Sequence, residues 1–206
     1  MNIRKPTLSV AVAALLSVGM VGQAAAYTSA GSKVEYQNLT ILLYEDGQLV
    51  DPVNDSKVTT WNFVTTNTTT LNGTTIADSA TCAGNAQTGV NNCGATSPRL
   101  DASLQALGST THAENTFDLD GPDAGTEYSY SDSVISTAQL TGDAQTNASL
   151  IAETELLNTG GGNSTSTIQS TTGFNFTFEV AGDIGNTLVL SFEADPQAYA
   201  ASDNPD

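Results

Sequence analysis

The sequence predicts a mainly β fold: an antiparallel, sandwich-like domain with long polar loops and one or two short helices. Three observations carry that expectation. Thr, Ser, Asn and Gly dominate the 206 residues while Lys is nearly absent. Thr suits pleated, half-buried surfaces, and Asn and Gly suit tight turns. Residues 34–44 place Leu39, Ile41 and Leu43 on one parity and Leu42 and Tyr44 on the other, the pattern of a strand buried on both sides. Near the other end, Phe174, Phe176, Phe178 and Val180 alternate with Asn175, Thr177 and Glu179, and Leu188, Leu190 and Phe192 repeat the period.

In chain order, the first segment stands apart from that domain. Arg4 and Lys5 precede an apolar run over residues 8–21, and Gln23, Ala24, Ala25 and Ala26 close it with small residues. This is the pattern of a secretory leader cut by signal peptidase after Ala26, and the run is too short for a transmembrane helix. No twin Arg precedes it and no Cys sits at the junction, so neither twin-Arg export nor a lipid anchor is indicated. Cleavage leaves residues 27–206 as a single extracellular domain. Lys33, Lys57 and Arg99 are then its only positive residues against 22 acidic ones, a charge of −19. Such a surface repels phosphate backbones and anionic bilayers, which argues against nucleic acid and membrane as partners. It keeps an exported protein soluble and leaves cations and neutral polysaccharide as candidate ligands.

The strand over residues 34–44 runs into Glu45-Asp46-Gly47-Gln48, an Asp-Gly hairpin signal. A Thr-rich strand region follows at 57–71, with Trp61 and Phe63 on one face. Residues 72–97 read as a Gly/Asn-rich loop region containing Cys82 and Cys93. In an oxidising compartment that pair predicts one disulfide, worth about 3 kcal/mol in the chain-entropy model. Residues 98–107 carry Leu100, Leu104 and Leu107 at helical spacing behind a Ser97 cap, which predicts a short helix. Residues 112–133 read as acidic, turn-rich and non-regular. Residues 134–157 fit either a helix capped at Asp143 or two strands broken at Thr141-Gly142-Asp143. Gly160-Gly161-Gly162 is a flexible connection without the Lys of a phosphate loop. The final two alternating segments predict a hairpin joined by residues 181–186, with one apolar face covering a core.

Chemistry-bearing residues are sparse. His112 is the only histidine and no Gly-x-Ser-x-Gly elbow is present, so a hydrolytic triad has no support, and His112 reads as a surface or loop residue. The expectation is a protein that is not an enzyme and needs no cofactor. Asp118, Asp120 and Asp123 on a Gly/Pro-rich turn could offer oxygens to calcium, although the spacing is not that of an EF-hand. Trp61, Tyr128 and Tyr130 would form the platform of a glycan-binding module. Asp183 and Asp195-Pro196 read as loop residues.

Two segments resemble a known class. Phe174-Asn175-Phe176-Thr177-Phe178 running on to Phe192-Glu193-Ala194-Asp195-Pro196 is similar to the paired strands and F-(D/E)-A-D-P motif of one subfamily of exosortase-associated (PEP-CTERM) surface proteins of Gram-negative bacteria. Glu114-Asn115-Thr116-Phe117 is similar to that subfamily's E-(N/D)-x-F segment. The resemblance implies export and a structural or adhesive role at the outer surface or in extracellular matrix, among polysaccharide and other surface proteins. It implies no catalytic residues. The class ends in a Pro-Glu-Pro motif, an apolar helix and a basic tail, whereas this sequence ends at Asp203-Asn204-Pro205-Asp206. The expectation is therefore either a C-terminally truncated chain or a secreted relative without the sorting tail. The alternatives carried forward are the glycan-binding module and a self-assembling fibre subunit pairing through an apolar strand edge.

Overall fold

The computed structural model describes residues 7–8, 18–19, 27–50, 58–85, 90–91, 99–109, 112–121, 125–136, 146–157, 169–180 and 187–203. Its strands in chain order are β1 (Thr7–Leu8), β2 (Val18–Gly19), β3 (Tyr27–Glu45), β4 (Gln48–Val50), β5 (Val58–Leu71) and β6 (Thr74–Asn85). They continue as β7 (Val90–Asn91), β8 (Leu100–Gly108), β9 (Tyr128–Ile135), β10 (Thr146–Leu157), β11 (Gln169–Val180) and β12 (Thr187–Asp203). The fold is mainly β, every pairing is antiparallel, and the described residues contain no helix. The first sheet has the order β1-β11-β5-β6-β7, with β2 also on β11. The second has the order β12-β3-β10-β9-β8, with β4 on β3.

Two hairpins follow directly from turn chemistry. Asp46 and Gly47 take φ of 50° and 77°, and Asn72 and Gly73 take 50° and 79°. Positive φ at both central positions is what a two-residue hairpin between twisted strands requires. The second of these turns corrects the loop expected over 72–97: Asn72-Gly73 returns the chain as β6, which pairs with β5 from Leu71↔Thr74 to Thr60↔Asn85.

β3 is an interior strand of the second sheet, between β12 and β10, but a bulge divides it. Asn38 has φ of 56° and its amide donates to Asn147 Oδ1 at 2.9 Å. The ladders to β10 and to β12 both shift there. The extra residue reverses the parity, so Val34, Tyr36 and Leu39 are all buried. β10 is buried along most of its length on both faces; residues 134–135 and 146–157 lie in strands, while the break expected at Thr141-Gly142-Asp143 lies outside the described residues.

The sheets meet where β5, β6 and β11 lie against β8, β9 and β10. Phe63, Thr65, Asn67 and Thr69 alternate along β5 as fully buried residues facing Ser129, Ser133, Ile135 and Leu150. Hydroxyls bridge the gap: Thr65 Oγ1 donates to Ser133 Oγ at 2.6 Å, and Thr69 bonds Ser129. Asn67 Nδ2 donates to the carbonyls of Ala102 and Ser103 at 3.0 and 3.1 Å.

Other expectations are corrected. Residues 100–107 form part of β8, not a helix, because Leu100 and Ala102 turn inward while a register shift before Gln105 re-aims the rest. The stretch expected to be non-regular yields β9 from Tyr128 onward. β11 and β12 are not a hairpin: β11 pairs with β5 in the first sheet and β12 with β3 in the second, so their alternating faces contribute to different sheets. Asp195 and Pro196 lie within β12, whose edge position tolerates a residue without an N–H. Most of the expected leader lies outside the described residues, as do Gly160–Gly162 of the glycine connection and Asp183.

Candidate functional site

The outer face of the second sheet, turned away from the first, carries the densest polar chemistry among the described residues. Register puts Ala106, Tyr130, Glu153, Gly31 and Tyr199 in one row across five strands. Tyr128 and Glu155 lie in the next row. Residues 112–121 cross over this face as a strap. Phe117 and Leu119 pack against Tyr128, Tyr130 and Ile151, together with Leu104 and Ala106. The intervening Asp118 and Asp120 are exposed, so the strap alternates as a strand would without belonging to either sheet.

Glu153 is fully buried at the centre of the row. Its carboxyl accepts from the backbone amides of Asp120 and Gly121, both at 2.8 Å, and from Tyr128 at 3.2 Å. Tyr130 and Tyr199 also donate their hydroxyls to it. Five donors on one acid satisfy a group that would otherwise be costly to bury. Ser29 Oγ donates in turn to Tyr199 at 3.0 Å. Glu155, also buried, accepts from the amide of Gly125 at 3.1 Å. Burial, reinforced by Glu153, holds the phenols of Tyr128, Tyr130 and Tyr199 well above the ordinary tyrosine range.

Gly31 makes this convergence sterically feasible. A Cβ there would lie 2.5 Å from Tyr199 Cε1, 2.9 Å from Leu119 Cδ2 and 3.0 Å from Glu153 Cγ. Only a residue without a side chain lets the Tyr199 ring cross β3 to reach Glu153.

At the other end of the strap, Glu114 Oε1 accepts from the Leu104 amide at 3.0 Å. The Asn115 amide donates to Asp132 Oδ2 at 2.6 Å, and its Nδ2 donates to Asp101 Oδ2 at 3.1 Å. Asn115 holds φ of 61°, a conformation Asn adopts more readily than most residues. Arg99 Nη2 reaches Asp101 Oδ2 at 2.8 Å. Asp101, Glu114 and Asp132 thereby bring carboxylate oxygens within 4.8 Å of one another, an arrangement of hard ligands that could hold a divalent cation. Burial raises the Asp132 carboxyl above its usual range. Glu114 and Asp101 add to that, and the amides of Asn115 and Ser133 oppose it.

The structure redistributes the residues expected to act. Asp118 is 3.8 Å from Lys33 Nζ, and Asp120 is 3.8 Å from His112 Nδ1, so they serve different partners; Asp123 lies outside the described residues. Lys33 also donates to the Phe117 carbonyl at 3.1 Å, tying the strap to β3. His112 is not a surface residue: its side chain is 2% exposed, its ring stacks on Tyr130 at 3.9 Å, and its Nε2 bonds the Thr116 carbonyl at 2.7 Å. Tyr128 and Tyr130 are 2% and 0% exposed, covered by the strap and offering no open ring face to a sugar. The Trp61 side chain lies outside the described residues. Cys82 is buried in β6 and is not a free thiol, while Cys93 lies outside the described residues.

Glu153, Glu155, Asp101 and Asp132 escaped sequence reading because acids in a chain this acidic read as solvated. The missed signal is Phe117-Asp118-Leu119-Asp120, whose strict alternation marks a segment with one buried side. Among the described residues no helix is long and apolar enough to cross a membrane. No family model matches the chain, and no curated protein or solved structure matches it either.

Proposed function

We propose that this chain is an exported, non-catalytic protein of the cell surface or extracellular matrix of a Gram-negative bacterium, its residues 27–206 forming a sandwich-like structural or adhesive domain. The observation that carries the reading is the strap. Glu153, three tyrosines, His112, Lys33 and the Asp101–Asn115–Asp132 contacts all hold one polar segment against one sheet. Groups that would do chemistry elsewhere act here as fasteners of a rigid acidic surface. The leader-like pattern, the charge of −19 after cleavage and the pair Cys82 and Cys93, read from the sequence as one disulfide, agree with an extracellular setting.

The resemblance to the exosortase-associated class adds support of its own. Glu114-Asn115-Thr116-Phe117 is the clasp of the strap: Glu114 accepts from the Leu104 amide, Asn115 donates to Asp132 and Asp101, and the Thr116 and Phe117 carbonyls bond His112 and Lys33. Phe192, Glu193, Ala194, Asp195 and Pro196 lie exposed on an edge strand, open to other surface components.

Expression of the whole gene in a Gram-negative host, followed by fractionation, intact mass and N-terminal sequencing, tests the reading. The expected product lies outside the inner membrane, begins at Tyr27 and is two hydrogens lighter than its reduced form. A cytosolic product that keeps Met1 and two free thiols would overturn it.

A further inference from the structure

The exposed borders of the two sheets differ in how they treat an incoming strand. At the border of the second sheet, β12 displays Glu193, Asp195 and Pro196 along its length, all exposed. Charges and a missing N–H discourage strand addition. β11, at the border of the first sheet, contains no Pro and a single charged residue, Glu179, next to its end. Its free edge already accepts strands: β1 pairs there through Thr7↔Glu179 and Leu8↔Phe178, and β2 through Gln169↔Gly19 and Ser170↔Val18. Both occupants belong to the segment read as a leader, so export would remove them and leave the twelve residues of β11 without a neighbour on that edge among the described residues.

We propose that, once residues 1–26 are removed, β11 pairs antiparallel with β11 of a second copy of this chain, joining two first sheets into one across a two-fold axis. The proposal rests on the export reading given above. Even-numbered positions of β11 stand opposite Phe63, Thr65 and Asn67 of β5, the buried side of the first sheet. A register that keeps even positions opposite even ones continues that buried side across the junction. With position 176 on the axis, Phe174 faces Phe178 of the second copy and Glu179 faces Gly173, so like charges are not opposed. The strand is thus self-complementary over residues 172–180, which is what a closed, isologous contact requires.

The test uses the exported protein, its intact mass recorded, in sedimentation velocity over a concentration series. Two variants accompany it: Asn175→Lys, which places a charge within the β11 edge, and Glu193→Lys, which alters the β12 edge. The expected result is a dimer that Glu193→Lys leaves intact and that Asn175→Lys weakens at least tenfold with an unchanged melting temperature for the monomer. A monomer at every concentration, with residues 1–26 shown to be absent, overturns the proposal and leaves the export reading standing. A dimer indifferent to Asn175→Lys also overturns it. A mass that retains residues 1–26 overturns the export reading and this proposal together.

Discussion

Toward the first sheet, β9 and β10 present Ser129, Ser133 and Thr154; on the opposite face the same two strands present Tyr128, Tyr130, Glu153 and Glu155. All of these residues are buried, so the contrast lies in how polar atoms are satisfied. On the inner face hydroxyls pair across the gap between the sheets, as in Thr65 with Ser133 and Thr69 with Ser129. On the outer face five donors converge on one acid, and two of them are backbone amides of the strap. A pairwise arrangement fails one bond at a time. A convergent one fails as a unit, and takes with it the segment that it fastens.

Breaking the convergent point should therefore have the largest effect. Glu153→Leu leaves three phenols and two amides without their acceptor and should cost about 3–5 kcal/mol in denaturant unfolding. A loss below about 1 kcal/mol, typical of an exposed acid, would contradict the network. Gly31→Ala comes next: the added methyl displaces Tyr199 or Leu119 and should cost about 1–3 kcal/mol. Combining it with Tyr199→Ala should be clearly non-additive, because the second change removes the ring that the first one strikes. Additive losses would place Tyr199 elsewhere.

The inner face should respond locally. Thr65→Val leaves Ser133 unpaired and should cost about 1–2 kcal/mol, while Thr65→Val with Ser133→Ala should recover most of that loss. Absence of recovery would mean that the hydroxyls are tied into a wider network than the pair. The smallest effect concerns Asp132, whose carboxyl is raised above 3.8 by burial and neighbouring charge. A carboxyl raised in the fold contributes stability below its unfolded value that is lost as pH rises through the folded one. Melting temperature followed upward from pH 3.8 should thus decline less steeply for Asp132→Asn than for the parent chain. Parallel profiles would contradict the raised carboxyl.

The comparison also explains what could be read from sequence. Elements governed by one local signal were legible: the interior strand around Leu39–Leu43, the Asp46-Gly47 hairpin and the Thr-rich β5. Asn72-Gly73 carries the same turn signal, but proximity to Cys82 and Cys93 suggested a stapled loop in its place. Leu100, Leu104 and Leu107 match a helical period only because a register shift between Ala102 and Gln105 breaks the strand alternation. The alternation of β11 and β12 was correctly read as strand, yet nothing local says that the two belong to different sheets. The candidate site was the least legible part. Its acids are distributed over β8, the strap, β9 and β10, and only sheet register and the docking of the strap bring them together. Of the expected calcium ligands, Asp118 and Asp120 lie on the strap itself and meet separate partners.

The most direct measurement is amide hydrogen exchange of residues 112–121 in the parent chain and in Glu153→Gln, resolved by residue. In the parent, the amides of Asp120 and Gly121 should exchange as slowly as those of β9 and β10; in the variant they should open well before those strands do. Fast exchange at Asp120 and Gly121 in the parent chain, or equal protection in both proteins, would contradict the account of Glu153 as the acid that fastens the strap.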